Sequence, residues 1–276
     1  MSITAAEVNS LRKMTGAGMM DCKRALQEAE GNVDTAIEIL RKKGQKIAAK
    51  RGDNAIGEGV IIAKTNADKN CGVLVALNCE TDFVAKNGDF VKFVEEIADV
   101  ALSSCSSDRD ALMAMTLPSV GIPISEEITN QMGRLGERLE LTRLEQVCDE
   151  CVVAYIHPGN GLATLVGFNA RLSDDAGRDV AMQAAAMAPI ALNEGQLKQE
   201  EVDKELEIGR DLAIQEGKPA EMADKIAAGR LKKWYKEVTL VNQMFIKDNK
   251  KTVAAYVKEA GGNDCEVTAF HRISLN

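Results

Sequence analysis

The sequence predicts an α+β fold: a three-helix bundle, then two strand-and-helix units of similar layout, with an antiparallel helical hairpin in the second. Three observations predict it. Apolar residues repeat every three to four positions as far as Leu40. From Gly59 the pattern changes to short runs rich in β-branched residues, and residues 196–235 return to a helical period that is heavily charged. Such a switch between periods separates helices from strands before any packing is considered. The expected division is 1–55 for the bundle and a basic linker, 56–138 for the first unit and 139–276 for the second, including the hairpin 196–235.

In order along the chain, Thr4 and Glu7 form a capping box, and Val8, Leu11 and Met14 give the first helix one apolar stripe. Thr15-Gly16-Ala17-Gly18 ends it. The second helix runs from about Met19 to Ala29 with Ala25, Leu26 and Ala29 inward; the third carries Val33, Ala36, Ile37 and Leu40 and stops near Gly44. Arg41, Lys42, Lys43, Lys46, Lys50 and Arg51 then read as a solvated linker, with a nucleic-acid or acidic-protein contact as the alternative. Gly59–Ala63 and Gly72–Leu77 pair as a hairpin across Asn66–Asn70, and Phe90, Phe93, Val94, Ile97 and Ala101 restore a helical period.

In the second unit, Val147–Ile156 and Leu162–Phe168 read as strands and Asp174–Met187 as a helix ended by Pro189. Leu197, Val202, Leu206 and Ala213 lie on one arm of the helical hairpin, Met222, Ile226 and Trp234 on the other, with the turn at Gly217-Lys218-Pro219. Gly209 and Gly229 are expected where the two backbones approach closely. Val238–Ile246 reads as a strand, Thr252–Ala260 as a helix and Cys265–Ile273 as a final strand.

Composition excludes several functions. The 276 residues are 45% hydrophobic and 28% charged, which is ordinary for a globular protein. Thirty-four basic against 42 acidic side chains give a net charge of −8, and aromatic residues are scarce, so direct nucleic-acid binding is not expected. The apolar stretch Val180–Leu192 is interrupted by Gln183 and Pro189 and is shorter than the roughly 20 residues of a membrane span. Met1-Ser2-Ile3-Thr4 offers no basic segment before an apolar run, so no secretory signal is read. Seven scattered cysteines read as reduced thiols of a cytoplasmic protein rather than a disulfide framework.

The search for covalent chemistry returns little. Phosphate-binding glycine loops, H-E-x-x-H and G-x-S-x-G are absent, and no cofactor is expected. Cys148-Asp149-Glu150-Cys151 with His157 is the one pattern with metal or thiol-redox content, and it is half of a zinc site at most; the other reading is two small residues beside a β-hairpin. Two apolar groups stand out for a different reason. Met19-Met20 opens a helix directly after a glycine-rich loop, and Phe83 lies in the polar segment that follows a buried strand.

Those two places also carry a resemblance. Thr15-Gly16-Ala17-Gly18-Met19-Met20-Asp21-Cys22-Lys23 and Asn78-Cys79-Glu80-Thr81-Asp82-Phe83-Val84-Ala85-Lys86, in this order, resemble the two signatures of the translation elongation factor Ts family. Ala154-Tyr155-Ile156-His157, Gly217-Lys218-Pro219, Gly229-Arg230-Leu231-Lys232-Lys233 and Lys251-Thr252-Val253 agree, so the similarity spans nearly the whole chain. Pro158-Gly159-Asn160-Gly161-Leu162 departs from the Arg–Ile-type continuation of many relatives, and the further C-terminal helical module of some members is not seen before Asn276.

The resemblance implies a ubiquitin-associated-like bundle, two related core subdomains and a hairpin projecting from the second. It implies a guanine nucleotide exchange factor, not an enzyme of covalent chemistry, that releases GDP from elongation factor Tu. By the same resemblance Thr81, Asp82, Phe83 and Val84 disturb the partner's magnesium site, Leu11, Arg12, Met19 and Met20 dock the bundle, and His157 presses near the phosphate loop. A homodimer through the hairpin is compatible with it. The alternatives are a ubiquitin-associated-type adaptor resting on the bundle alone, and a zinc or thiol-redox protein using Cys148, Cys151 and His157.

Overall fold

A computed structural model describes residues 3–104 and 107–275; Cys105 lies outside them. The fold mixes helices and sheets as expected. Helices α1 (Ala5–Thr15), α2 (Met19–Glu28) and α3 (Val33–Lys50) come first. Thr4 accepts from the Glu7 backbone while the Glu7 carboxylate accepts from the Thr4 N–H, closing the capping box. Val8, Leu11, Cys22, Ala25, Leu26, Ala29 and Ala36 form their common core. Met14 does not join it: it is 57% exposed.

The third helix does not stop at Gly44. It continues to Lys50 because its second half has a surface to lie on, namely a helix that was not anticipated. The two cross at Gly44 and Gly133, where a Cβ on Gly133 would stand 2.8 Å from the Gly44 Cα, and one on Gly44 would stand 2.8 Å from the Thr129 carbonyl oxygen. The basic stretch is therefore helical as far as Lys50. Three of its six cations form ion pairs, Arg41 with Glu126 at 2.9 Å, Lys43 with Asp21 at 2.6 Å and Arg51 with Glu80 at 2.7 Å, while Lys42, Lys46 and Lys50 stand exposed.

Next come β1 (Glu58–Thr65), β2 (Cys71–Cys79), α4 (Asp82–Ala85), α5 (Gly88–Ser104), α6 (Arg109–Ala114), the two-residue strands β3 (Thr116–Leu117) and β4 (Ile122–Pro123), and α7 (Ile124–Leu135), the helix that receives α3. Then follow β5 (Glu140–Cys148), β6 (Cys151–Ile156), β7 (Leu162–Phe168) and α8 (Asp174–Met187). The first sheet has the order β1-β2-β5 and is antiparallel throughout. Residues 140–148, grouped with the second unit from sequence, thus hydrogen-bond to the first. Val147–Ile156 is two strands, not one: Val147 and Cys148 end β5, Asp149 and Glu150 turn the chain, and β6 starts a different sheet.

The second sheet is β10-β7-β6, β10 being the last strand of the chain, Val267–Ser274. The two sheets stack through Ile61, Ala63, Leu74 and Ala76 on one side and Val152, Ala163 and Leu165 on the other. Strand alternation sends the remaining side chains outward: Val73, Val75 and Leu77 pack with Phe90, Phe93 and Ile97 of α5, while Val166 and Phe168 pack with Val180 and Ala184 of α8. The result is four layers, helix–sheet–sheet–helix. Burial on both faces explains why β2 reads as a continuous apolar run.

Helices α9 (Gln199–Gln215) and α10 (Ala220–Val238) form the hairpin; β8 (Met244–Phe245), β9 (Asp248–Thr252), α11 (Val253–Gly261) and β10 (Val267–Ser274) complete the chain. Gly209 lies in the expected close approach, with a Cβ position 3.3 Å from the Ala227 Cα, but Gly229 faces open space. Gly229→Ala is therefore expected to stabilise the protein by up to about 1 kcal/mol through helix propensity alone, read as a raised thermal midpoint; a lowered one would reveal a hidden contact. Val238–Ile246 is a strand only at Met244–Phe245; Val238 ends α10 and Leu240–Asn242 form a tight helical turn. The backbone of the segment is held by buried glutamines: Gln183 donates to the Met244 carbonyl oxygen at 3.2 Å and accepts from the Ile246 N–H at 2.8 Å, and Gln243 donates to the Glu237 carbonyl oxygen at 2.8 Å.

The expectation of reduced thiols throughout is corrected at one pair. Cys71 and Cys148 stand directly opposite in the β2–β5 register and are joined as a disulfide. Cys22, Cys79, Cys151 and Cys265 are free and buried. No helix among the described residues is long and apolar enough to cross a membrane.

Candidate functional site

Strand β2 ends at Cys79, and the chain leaves the sheet through one short helical turn. Val84 is buried in the core beneath that turn, and Thr81 stands before its first residue. With Val84 facing inward, its neighbour must face outward: the Phe83 ring is 84% exposed, the largest exposure among the described large apolar side chains. Asp82 is half-buried and pairs with Lys86 at 2.5 Å; the hydrogen bond and charge of that ammonium hold its carboxyl below the usual carboxylate range.

The turn is fastened on its N-terminal side by two carboxylates. Glu137 accepts from both Thr81 donors, the backbone N–H at 3.0 Å and the hydroxyl at 2.5 Å. Glu80 accepts from Arg51 at 2.7 Å, Asn54 at 2.8 Å and the Arg138 backbone N–H at 2.6 Å. Burial works against the Glu80 charge, but these donations outweigh it and keep its carboxyl below the ordinary range. Cys79 beneath them is pushed up to about 12 by burial and by the Glu137 charge, so its thiol stays protonated and inert at neutral pH.

On the bundle, Met19 and Met20 open α2 exposed at 49% and 62%. Met14 is an exposed third methionine that helical periodicity had placed inside. Arg12 is exposed on α1. Leu11 is not: it is fully buried in the bundle core, so it and Val84 support the surfaces they were expected to present. A cleft of about 400 Å³ lies where the bundle meets α7, lined in part by Met14, Leu40, Val120 and Arg134.

His157 is exposed, with its Nδ1 and the Tyr155 hydroxyl hydrogen-bonded at 3.0 Å. Strand β6 begins near the β1–β2 turn, where the Val152 N–H donates to the Lys69 carbonyl oxygen, and runs away from it; beyond its far end the Asn160 carbonyl oxygen accepts from the Ile61 N–H. Because Glu58, at the start of β1, pairs with Cys79, the His157 loop and the Phe83 turn lie toward the same end of the stacked sheets. The zinc reading finds no assembled site: Cys148 is bonded to Cys71, Cys151 is buried in the second sheet's core and His157 is exposed at the opposite end of β6. Among the described residues no group of three potential ligands gathers around a common point.

The sequence marks Phe83, Met19 and Met20 but not Asn54, Glu137 and Arg138, which brace the Phe83 turn, and it presents Arg51 only as part of a basic stretch. Glu80 lay within a quoted motif without a role. Only the chain's long-range folding joins these positions, so no local signal marks them.

The sequence model of the family described as Elongation factor TS matches residues 80–276. The chain is 51% identical over 275 residues to the elongation factor Ts of Christiangramia forsetii, covering 99% of this chain and 98% of that one. It is 48% identical to the elongation factor Ts of Flavobacterium psychrophilum, with 99% of each covered, and 43% identical to that of Porphyromonas gingivalis, with 100% and 99% covered. A two-signature sequence, an exposed ring on a braced turn and identity over the full length lead to one conclusion: this chain belongs to the elongation factor Ts family.

Proposed function

We propose that this protein is a guanine nucleotide exchange factor that binds elongation factor Tu in its GDP-bound and nucleotide-free states and accelerates GDP release during translation elongation in the cytoplasm. The observation that carries the reading is Phe83, an aromatic ring held in solvent on a turn anchored by Thr81 before it and Val84 after it. A ring so placed gains by burial only against another molecule, about 3 kcal/mol at most. Exchange changes no covalent bond, so this contact acts through coupling: the factor must bind the emptied partner better than the loaded one, and GDP loosens the factor by the same ratio. Each tenfold loosening requires about 1.4 kcal/mol of differential contact.

In this reading Phe83 wedges into a pocket that the partner opens as its nucleotide leaves, with Thr81 and Asp82 beside it near the magnesium and phosphates. The Asp82 charge is shared with Lys86, so its effect on the cation depends on that pair opening. Met19, Met20 and Arg12 dock the bundle, methionine being adaptable at interfaces, and His157 meets the partner from the same end of the sheets. The ubiquitin-associated-like bundle, the two related subdomains and the projecting hairpin belong to this proposal, supported by the separate bundle core and the paired sheets. So do the absence of a direct nucleic-acid contact and a homodimer through the hairpin, whose arms expose Leu206, Ile208, Leu212, Ile214 and Met222. A reducing cytoplasm opposes the Cys71–Cys148 bond; the strand register alone keeps the two sulfurs opposed when it is open.

Gel filtration of the protein with elongation factor Tu is expected to give a complex without nucleotide that weakens on adding excess GDP. A mixture that never co-elutes, or a complex indifferent to GDP, would overturn the proposal. The elution volume of the protein alone decides the homodimer.

A further inference from the structure

Glu80 is mostly covered, with 14% of its side chain exposed, so it is poorly placed to touch a partner. Yet three donors from two distant parts of the chain, the turn 51–54 and Arg138, converge on it. Arg51 ends α3, the last helix of the bundle; Asn54 lies in the segment that follows; Arg138 lies just before β5. The Arg138 side chain closes the knot by donating to the Asn54 carbonyl oxygen at 2.7 Å and pairing with Glu140. The sheet does not need this knot for its register, which the β2 ladders to β1 and β5 already set on both sides, Glu58 opposite Cys79 and Asn78 opposite Glu140. What the knot adds is a fixed path from the bundle to the residue three before Phe83.

We propose that Glu80 is a positioning residue for exchange: by tying the end of α3 to the root of the Phe83 turn, it holds the methionine face of the bundle and the Phe83 ring at one separation and angle, so that a GTPase meets both together. This rests on the exchange-factor reading. Two contacts on a stiff link make the second binding event effectively intramolecular, and that advantage falls as the link loosens although neither contact is removed. The Gly44–Gly133 crossing and the Arg41–Glu126 pair seat α3 on α7, and Glu80 ties the end of α3 to the root of the Phe83 turn.

The test compares full-length Arg51→Ala, Arg51→Lys and Glu80→Ala in two measurements. In stopped-flow release of a fluorescent GDP analogue from elongation factor Tu, Arg51→Ala and Glu80→Ala are expected to raise the half-saturating factor concentration about tenfold, a small part of the advantage a linked pair of contacts provides. The maximal rate should change less than about twofold because the ring itself is intact, and Arg51→Lys should recover most of the loss by keeping the charge. In the second measurement, spin labels at Met20→Cys and Phe83→Cys should give a narrow distance distribution in the parent and a broad one with Arg51→Ala, with no partner present. A distribution that stays narrow, an unchanged half-saturating concentration, or an Arg51→Lys variant no better than alanine would overturn the proposal. A parent protein that fails to accelerate release at all would sink the exchange reading instead, while the label distances would still decide the knot.

Discussion

Phe83→Ala is expected to slow factor-stimulated GDP release from elongation factor Tu by up to about 100-fold while leaving the thermal midpoint unchanged. The two halves of this result have separate origins. The ring is exposed in the free protein, so removing it costs little folding free energy, as at most surface positions. Val84 keeps its place in the core, and Thr81 keeps both hydrogen bonds to Glu137, so the turn survives without the ring. The kinetic loss comes from burial against the partner, where about 3 kcal/mol corresponds to roughly two powers of ten. Phe83→Leu should lie between, since an aliphatic group fills part of the same pocket. Stopped-flow release of a labelled GDP analogue measures the first half and a melting curve the second. An unchanged rate would end the wedge mechanism, and a lowered midpoint would mean that the ring is needed at home.

Gly44→Val is the second large effect, and here stability and function fall together. At this crossing the new Cβ would stand 2.8 Å from the Thr129 carbonyl oxygen, a backbone atom that cannot swing aside. The helices must separate, at a cost of about 1–3 kcal/mol for overpacking, offset in part by the better helix propensity of valine over glycine. The bundle keeps its own core of Val8, Leu11, Leu26 and Ala36, so it should come loose rather than unfold. Faster hydrogen exchange is expected at the α3–α7 contact, together with an exchange activity that needs more factor to saturate. Unaltered protection and saturation would show that α3 can shift without disturbing the contact.

The sequence disclosed what is local and concealed what is distant. Capping at Thr4, the β1–β2 hairpin and the helix Asp174–Met187 were legible because hydrogen bonding and hydrophobic period within about a dozen residues decide them. Helix α7 was not read, and with it went the reason for α3 to continue past Gly44: a glycine that signals a stop in isolation is here a point of contact. Strand β5 was not read as a strand, and its residues were grouped with the second unit, because pairing with β2 is a choice made across the fold, invisible in the alternation of either strand. The opposed Cys71 and Cys148 followed from that same pairing. At the site, Phe83 and the methionines were legible as apolar residues out of place, and Met14 was not, because its spacing matched the buried stripe. Leu11 and Val84 were read as contacts from the family resemblance, whereas their burial makes them foundations.

The knot at residue 80 also has a consequence for the order in which the chain emerges during its own synthesis. Thr81 is secured by Glu137, 56 residues later in the sequence, and Glu80 by the backbone of Arg138, 58 residues later. At about 5–20 residues per second, several seconds pass between the appearance of the ring and the arrival of the groups that aim it. A nascent chain therefore carries a limp, unaimed phenylalanine, and competence to engage another protein is withheld until the second half of the polypeptide has begun to form.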